Sequence, residues 1–254
     1  ADSLRSLQND NFNVAARRIL PGLLPILQTS DDPKVAMARE IMQKWNLRND
    51  PDAVAATIYE RWMRELGDWI WEDEFPIKSY MMHPTEDRTF EMILKEPKAK
   101  WFDNKNTREK EETINDIIVG SFAATLDSLT LKNGPINSET WAWSKVKNTT
   151  IKHLVPAFAS FSRIGIMNGG GKGEVNATSE THGPSWRMVV ELDKNWPRAF
   201  GLYPGGQSGN PGSKYYDNMI DKWAAGKLDT LVYLKNVDEK HPKLVKTLTI
   251  KPKK

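Results

Sequence analysis

The chain has 254 residues, with 36 basic against 33 acidic side chains, a formal charge of +3 and no cysteine. That length builds one large domain or two small ones around a real core. The missing cysteines exclude disulfide scaffolds, thiol nucleophiles and thiolate metal sites together. Residues 235–254 hold seven lysines against Asp238 and Glu239, a net of +5 that leaves the other residues at −2. A lysine-rich solvated tail is not the basic face, interleaved with motif residues, of a nucleic-acid binder, so no nucleic-acid partner is expected. No apolar run approaches the ~20 residues of a membrane helix, and no signal-peptide core follows Ala1-Asp2-Ser3-Leu4-Arg5. The chain reads as soluble, and as intracellular or already cut from something longer.

The first half reads as helices. Leu4 to Leu27 is apolar and mostly helical, with Pro21 and Pro25 kinking or ending it. Asp31-Asp32-Pro33 offers an N-cap with proline at the first helical position. Val35, Ala38, Ile41, Met42 and Trp45 then recur at helical spacing until Asn49-Asp50-Pro51 breaks the pattern. The next helix carries Val54, Ile58, Trp62 and Leu66 on one face, extended by Trp69 and Ile70. Lys95 to Glu112, charge-dense and broken by Pro97, reads as an exposed excursion. A third helix is predicted from about Thr107 to Leu129, striped by Ile114, Ile118, Phe122 and Leu126.

The second half changes character. Trp186, Met188, Val190 and Leu192 alternate with Arg187, Val189 and Glu191, the period of a half-buried strand. Further strands are predicted at Ala199–Tyr203, Thr230–Leu234 and Leu244–Ile250, and a short helix at Asp217–Ala225. Helices first and strands later imply an α+β fold rather than a βαβ repeat. The division falls into a helical segment, 1–131, and a strand-rich segment, 132–254, as parts of one larger domain.

Few residues suggest chemistry. His83, His153, His182 and His241 are scattered and never in His-Glu-x-x-His spacing, so no metal site is expected. Asn168-Gly169-Gly170-Gly171-Lys172-Gly173 resembles a phosphate loop only superficially: Gly173 follows Lys172 and Glu174 stands where a Ser or Thr is needed. It reads as a flexible turn. Ser208 fails the nucleophile-elbow pattern because Asn210 replaces the second glycine. Gln207 and Ser208 read instead as loop-holding residues, and Glu191 as an exposed or salt-bridged strand carboxylate. Among ten tryptophans, Trp45, Trp62 and Trp69 fit helix faces and the core. Trp141 and Trp143 offer an acyl or sugar platform as the alternative to core use.

These pieces resemble one family. Leu7-Gln8-Asn9-Asp10 with Ala15-Ala16 and Ile19-Leu20-Pro21 is similar to the helix opening the last part of penicillin-acylase β-subunits. Ala55-Ala56-Thr57-Ile58-Tyr59-Glu60-Arg61-Trp62 fits the family's next helix, and Trp141-Ala142-Trp143-Ser144-Lys145 with His153 resembles its later tryptophan stretch, Ser144 departing from glycine. The most specific matches are Val175-Asn176-Ala177, His182-Gly183-Pro184-Ser185-Trp186-Arg187-Met188-Val189-Val190, and Pro204 to Ser213 with Tyr216-Asp217 and Trp223-Ala224. Asn218 stands where many members carry an acid.

The resemblance implies an N-terminal-nucleophile hydrolase with a four-layer αββα fold, whose sheets the strand-rich segment completes. In such enzymes a serine freed by self-cleavage attacks an amide carbonyl, with its own α-amino group as general base. The nucleophile and the oxyanion asparagine lie upstream of the helix that Leu4 begins. Gly120-Ser121 and Gly212-Ser213 mimic processing sites, but one lies in a helix stripe and the other in a turn. The expectation is therefore the C-terminal half of a β-subunit, with no catalytic, cofactor-binding or metal residue of its own, and inactive alone. No clustered oxygen ligands for the calcium found in some members are legible. The expected partners are the α-subunit and the N-terminal half of the β-subunit, with a small-molecule amide as substrate and a periplasmic or secreted location. A stand-alone, non-catalytic binding module using exposed tryptophans is the alternative.

Overall fold

The computed structural model describes residues 2–75 and 83–252. In chain order it contains α1 (Asp2–Leu7), α2 (Val14–Leu23), α3 (Pro33–Gln43), α4 (Val54–Trp71), α5 (Glu86–Lys95), α6 (Ile114–Asn133), α7 (Trp143–Lys147), β1 (Thr149–Ile151), β2 (Arg163–Ile166), β3 (Arg187–Glu191), β4 (Arg198–Leu202), α8 (Ile220–Ala224) and β5 (Asp229–Thr230). Helices precede small antiparallel sheets, an α+β arrangement. Two compact units emerge: Asn9–Pro184, and Ala1–Gln8 together with Ser185–Lys254.

In the Asn9–Pro184 unit the helix ends follow local chemistry. The Asp32 side chain accepts from the Lys34 N–H and Pro33 begins α3. A capping box, Thr113 with Asp116, begins α6. Lys110 and the Thr113 donors hold the Asp116 carboxyl at about 2, well below the ordinary range. This helix therefore starts seven residues later than expected, at the first residue of its apolar stripe, because residues 107–112 turn back on themselves: Thr107 Oγ1 donates to Glu112, and Glu112 N–H to Asp103. α6 spans 20 residues and is long and apolar enough to cross a membrane by length and composition, contrary to the sequence expectation. Its Ile118, Phe122 and Leu126 nevertheless face the protein core, each at most 1 % exposed.

The core of this unit lies where α4 crosses α6. Trp62 meets Phe122 edge to face at 4.6 Å, and its indole N–H donates to Ser121 Oγ at 3.1 Å. Trp69 lies on the same helix but is 38 % exposed, lying over Gly120, where a Cβ would meet its ring at 2.4 Å. It is thus a surface lid over a glycine rather than core. The stretch 95–112 is exposed along most of its length, as its charges implied, and Phe102, 2 % exposed, anchors it. α5 was not legible as a helix, although Thr85 caps it and Glu86 and Asp87 occupy its first turn. Pro21 sits inside α2 without ending it, and Pro25 caps the following 3-10 turn.

In the other unit β3, β4 and β5 form an antiparallel sheet, with Val189 opposite Phe200 and Phe200 opposite Thr230. β3 alternates as expected but in the opposite phase. Arg187 and Val189 are each 5 % exposed, whereas Trp186, Met188 and Val190 are exposed. Both faces of this strand carry apolar residues, so periodicity fixed the alternation and not its direction. The inward face gains Trp223, over whose ring the Arg187 guanidinium lies at 5.9 Å. Strand pairing at 230–234 is confined to Asp229–Thr230 as a named strand, with one further bond from Leu231 N–H to Ala199. Residues 244–250 pair with nothing as a strand, and Val245, Leu248 and Ile250 are exposed. Apolar alternation alone forms no strand where no neighbouring edge meets it.

Candidate functional site

A cavity of about 590 Å³ opens within the Asn9–Pro184 unit, walled by α4, α5, α7 and the loop 171–182. Its floor is a polar hub built from segments far apart in sequence. Asn49, fully buried, donates through Nδ2 to Glu60 Oε1 at 2.8 Å and to Glu174 Oε1 at 3.1 Å. Asn13 caps α2 by accepting from Ala16 N–H and donates to Glu60 at 3.3 Å. One amide thus bridges two carboxylates, and a second supports one of them.

Lys147 faces these acids from α7, 5 % exposed. Its Nζ donates to Gly169 O at 2.7 Å, Thr178 Oγ1 at 2.8 Å and Gly170 O at 3.2 Å. Thr178 gives its own hydroxyl proton to Gly169 O, so its oxygen is free to accept from the lysine. Three acceptors around one amine match an ammonium. Burial presses Lys147 down to about 7, opposed by Glu174 and Glu60. Burial and the neighbouring Glu60 push Glu174 up to about 8. Glu60 is raised as well, chiefly by burial, with the Asn49 bond acting against it. Tyr59 is raised by burial, and Glu86 and Asp68 on the walls are raised by burial and adjacent acids.

The glycine loop is therefore packed, not flexible. A Cβ on Gly169 would meet Asn49 O at 2.7 Å, and on Gly170, at φ +80°, Asn176 O at 2.0 Å. Gly171 leaves room for the Glu174 carboxylate, which a Cβ would approach to 2.3 Å. Asn176 completes the hub by donating to Asn11 at 2.8 Å, while Asn11 donates to Asp50 at 2.8 Å. Arg48 pairs with Asp10 at 2.8 Å.

The residues weighed from sequence are dispersed. Trp141 is fully buried and bonds Gly134 O at 3.0 Å; Trp143 is 6 % exposed and bonds Gly170 O at 2.8 Å. Trp141 forms no open platform, whereas Trp143 lines the cavity with its indole N–H tied to the backbone. Ser208 Oγ accepts from Asn210 N–H and Gln207 reaches Tyr203, holding their loop as expected. Glu191 pairs with Arg198 at 2.5 Å. Ser121 is fully buried, and Ser213 accepts from Tyr215 N–H. His83 and His182 both line the cavity, whereas His153 and His241 bond local backbone. Among the described residues no group of three or more His, Cys, Asp or Glu side chains is placed to hold a metal. Sequence reasoning missed Asn49, Glu60, Lys147 and Glu174. The one signal was Lys147, four residues after Trp143 on the same helical face.

A helical layer, small antiparallel sheets and a buried acid–amide–lysine hub define an α+β protein whose polar core is stitched by its loops. The chain belongs to the penicillin amidase family, whose family model matches residues 1–238. It is 24 % identical over 261 residues to the acyl-homoserine lactone acylase QuiP of Pseudomonas putida, covering 90 % of this chain and 32 % of the relative. The QuiP protein of Pseudomonas syringae pv. syringae is 26 % identical over 220 residues, covering 76 % of this chain and 26 % of the relative. The fold is similar to penicillin G acylase from Alcaligenes faecalis, with TM-score 0.50 at 12 % identity, over 94 % of this chain and 48 % of that one. The chain thus spans a third or less of the curated relatives it matches.

Proposed function

We propose that this chain is the C-terminal part of an amidohydrolase that cleaves an acyl group from an amine, with its nucleophilic serine on polypeptide upstream. The carrying observation is coverage: the family model takes in residues 1–238, yet the chain spans 32 % of the QuiP relative from Pseudomonas putida. In this reading the serine attacks the amide carbonyl, its α-amino group takes the proton, and upstream donors hold the oxyanion. The substrates are linear amides: acyl-homoserine lactones, β-lactam side chains or acylated amino acids. The partners are the α-subunit and the front half of the β-subunit, in a periplasmic or secreted enzyme whose four-layer αββα sheets the strand-rich segment completes.

Three serines beside glycines or in glycine-rich loops fit the same reading. Ser121 is buried in α6 between Trp62 and Ile118 O, and Ser208 and Ser213 cap turns. Losing a nucleophile costs about a million-fold in turnover, so the chain alone is expected to be silent. The test is hydrolysis of a phenylacetyl anilide by the pure chain and by the chain co-expressed with its upstream coding region. Activity only in the second preparation supports the proposal; turnover typical of whole acylases in the first overturns it.

A further inference from the structure

We propose that the cavity of the Asn9–Pro184 unit binds a small organic cation, an ammonium, amidinium or guanidinium on an apolar body, between Glu174 and Tyr59. Two buried polar atoms on its wall have no hydrogen-bond partner: Glu174 Oε2 and Tyr59 Oη. Their residues are only 6 % and 2 % exposed. An orphaned acceptor at such depth carries a desolvation cost that a donor from a ligand removes.

Charge points to the sign of that ligand. Glu60 and Glu174 both face Lys147, whose three N–H groups are taken by Gly169, Gly170 and Thr178. Arg61, on the same wall, donates to Val146 O at 2.9 Å. The lining as a whole carries Glu60, Asp68, Glu86, Glu174 and Glu180 against Arg61, Arg64, Lys147 and Lys172, one positive charge short with these groups ionised. One side of the chamber suits an apolar body. Trp71 and Phe90, respectively 6 % and 3 % exposed, line it, and about 590 Å³ admits a ring-sized ligand. Amidinium and guanidinium groups give a carboxylate two parallel donors, the strong form of this pairing.

This site is independent of where the amide chemistry resides. The test is calorimetric titration of the whole chain with benzamidine, and with benzamide as its neutral isostere. One benzamidine site per chain is expected, with benzamide at least about tenfold weaker. Glu174→Gln, which keeps shape and removes charge, should weaken benzamidine by at least about tenfold. Tyr59→Phe should weaken it several-fold, with circular dichroism confirming the fold of each variant. Absent benzamidine binding, equal affinity for benzamide, or unchanged affinity in Tyr59→Phe overturns the proposal, and Tyr59→Phe decides alone if Glu174→Gln fails to fold.

Discussion

Asn49 Nδ2 donates to Glu174 Oε1 across 125 positions of sequence, and the same nitrogen serves Glu60. Removing it leaves Glu60 with Asn13 alone and Glu174 Oε1 without this donor in a buried site. Asn49→Ala is expected to cost about 3 kcal/mol of unfolding free energy in urea titration at neutral pH. Asn49→Asp, which adds a third acid, should cost more. Equal stability of either variant and the parent contradicts this role.

The hub makes stability depend on pH with a definite sign. Folding raises Glu174 from 4.5 to about 8 and moves Glu60 in the same direction. The native state then holds more protons than the unfolded chain between those values, so stability is full below pH 4.5 and falls as pH rises toward 8. Lys147, lowered to about 7, acts oppositely and only above that pH. Denaturant midpoints should decline from pH 5 to pH 7, and Glu174→Gln should flatten that decline.

Two glycines in one loop should respond oppositely to a methyl group. Gly170→Ala places a Cβ 2.0 Å from Asn176 O at φ +80° and is expected to cost more than about 3 kcal/mol. Gly173→Ala meets nothing within 4 Å and should be neutral or stabilising by up to about 1 kcal/mol. Thermal melts of the two variants check the contrast.

Ser208 is expected to be a turn residue in the assembled enzyme too. Its hydroxyl accepts from the Asn210 N–H. Ser208→Ala should leave turnover of the complemented enzyme within a few-fold of the parent. A fall on the order of a million-fold assigns it the nucleophile instead.

β3 is an edge strand, and Gln8 Nε2 donates at 3.0 Å to the carbonyl of Met188. Its Trp186, Met188 and Val190 face is exposed. An apolar edge of this kind favours association. The chain alone should self-associate in size-exclusion chromatography with light scattering, and Val190→Lys should shift it toward monomer. A monodisperse, monomeric parent contradicts this.

What was legible in the sequence was local. Asp32-Pro33 fixed where α3 begins, and the Val54, Ile58, Trp62, Leu66 stripe fixed both the extent of α4 and its buried face. The order of motifs gave the family. What escaped depended on distant partners. Trp69 has the spacing of a core residue, yet its exposure was set by Gly120 on another helix. β3 has apolar residues on both faces, and the face that carries Arg187 over the buried Trp223 is the inner one. Asn49, Glu60, Lys147 and Glu174 lie in four separate segments, and only Lys147, four residues after Trp143, has a helical spacing to mark it. Glycines at 169–171 read as freedom, whereas the fold uses them for close approach.

The backbone bond from Asn176 N–H to Asp10 O joins the two ends of the Asn9–Pro184 unit. During synthesis, helices α2 to α6 leave the ribosome well before residue 176 can reach them. Until then Glu60 and Lys147 stand without Glu174, and Asn49 serves only part of its final set. Such closure over long sequence separation is slow, so the hub is completed only after the helices that carry Glu60 and Lys147 are in place.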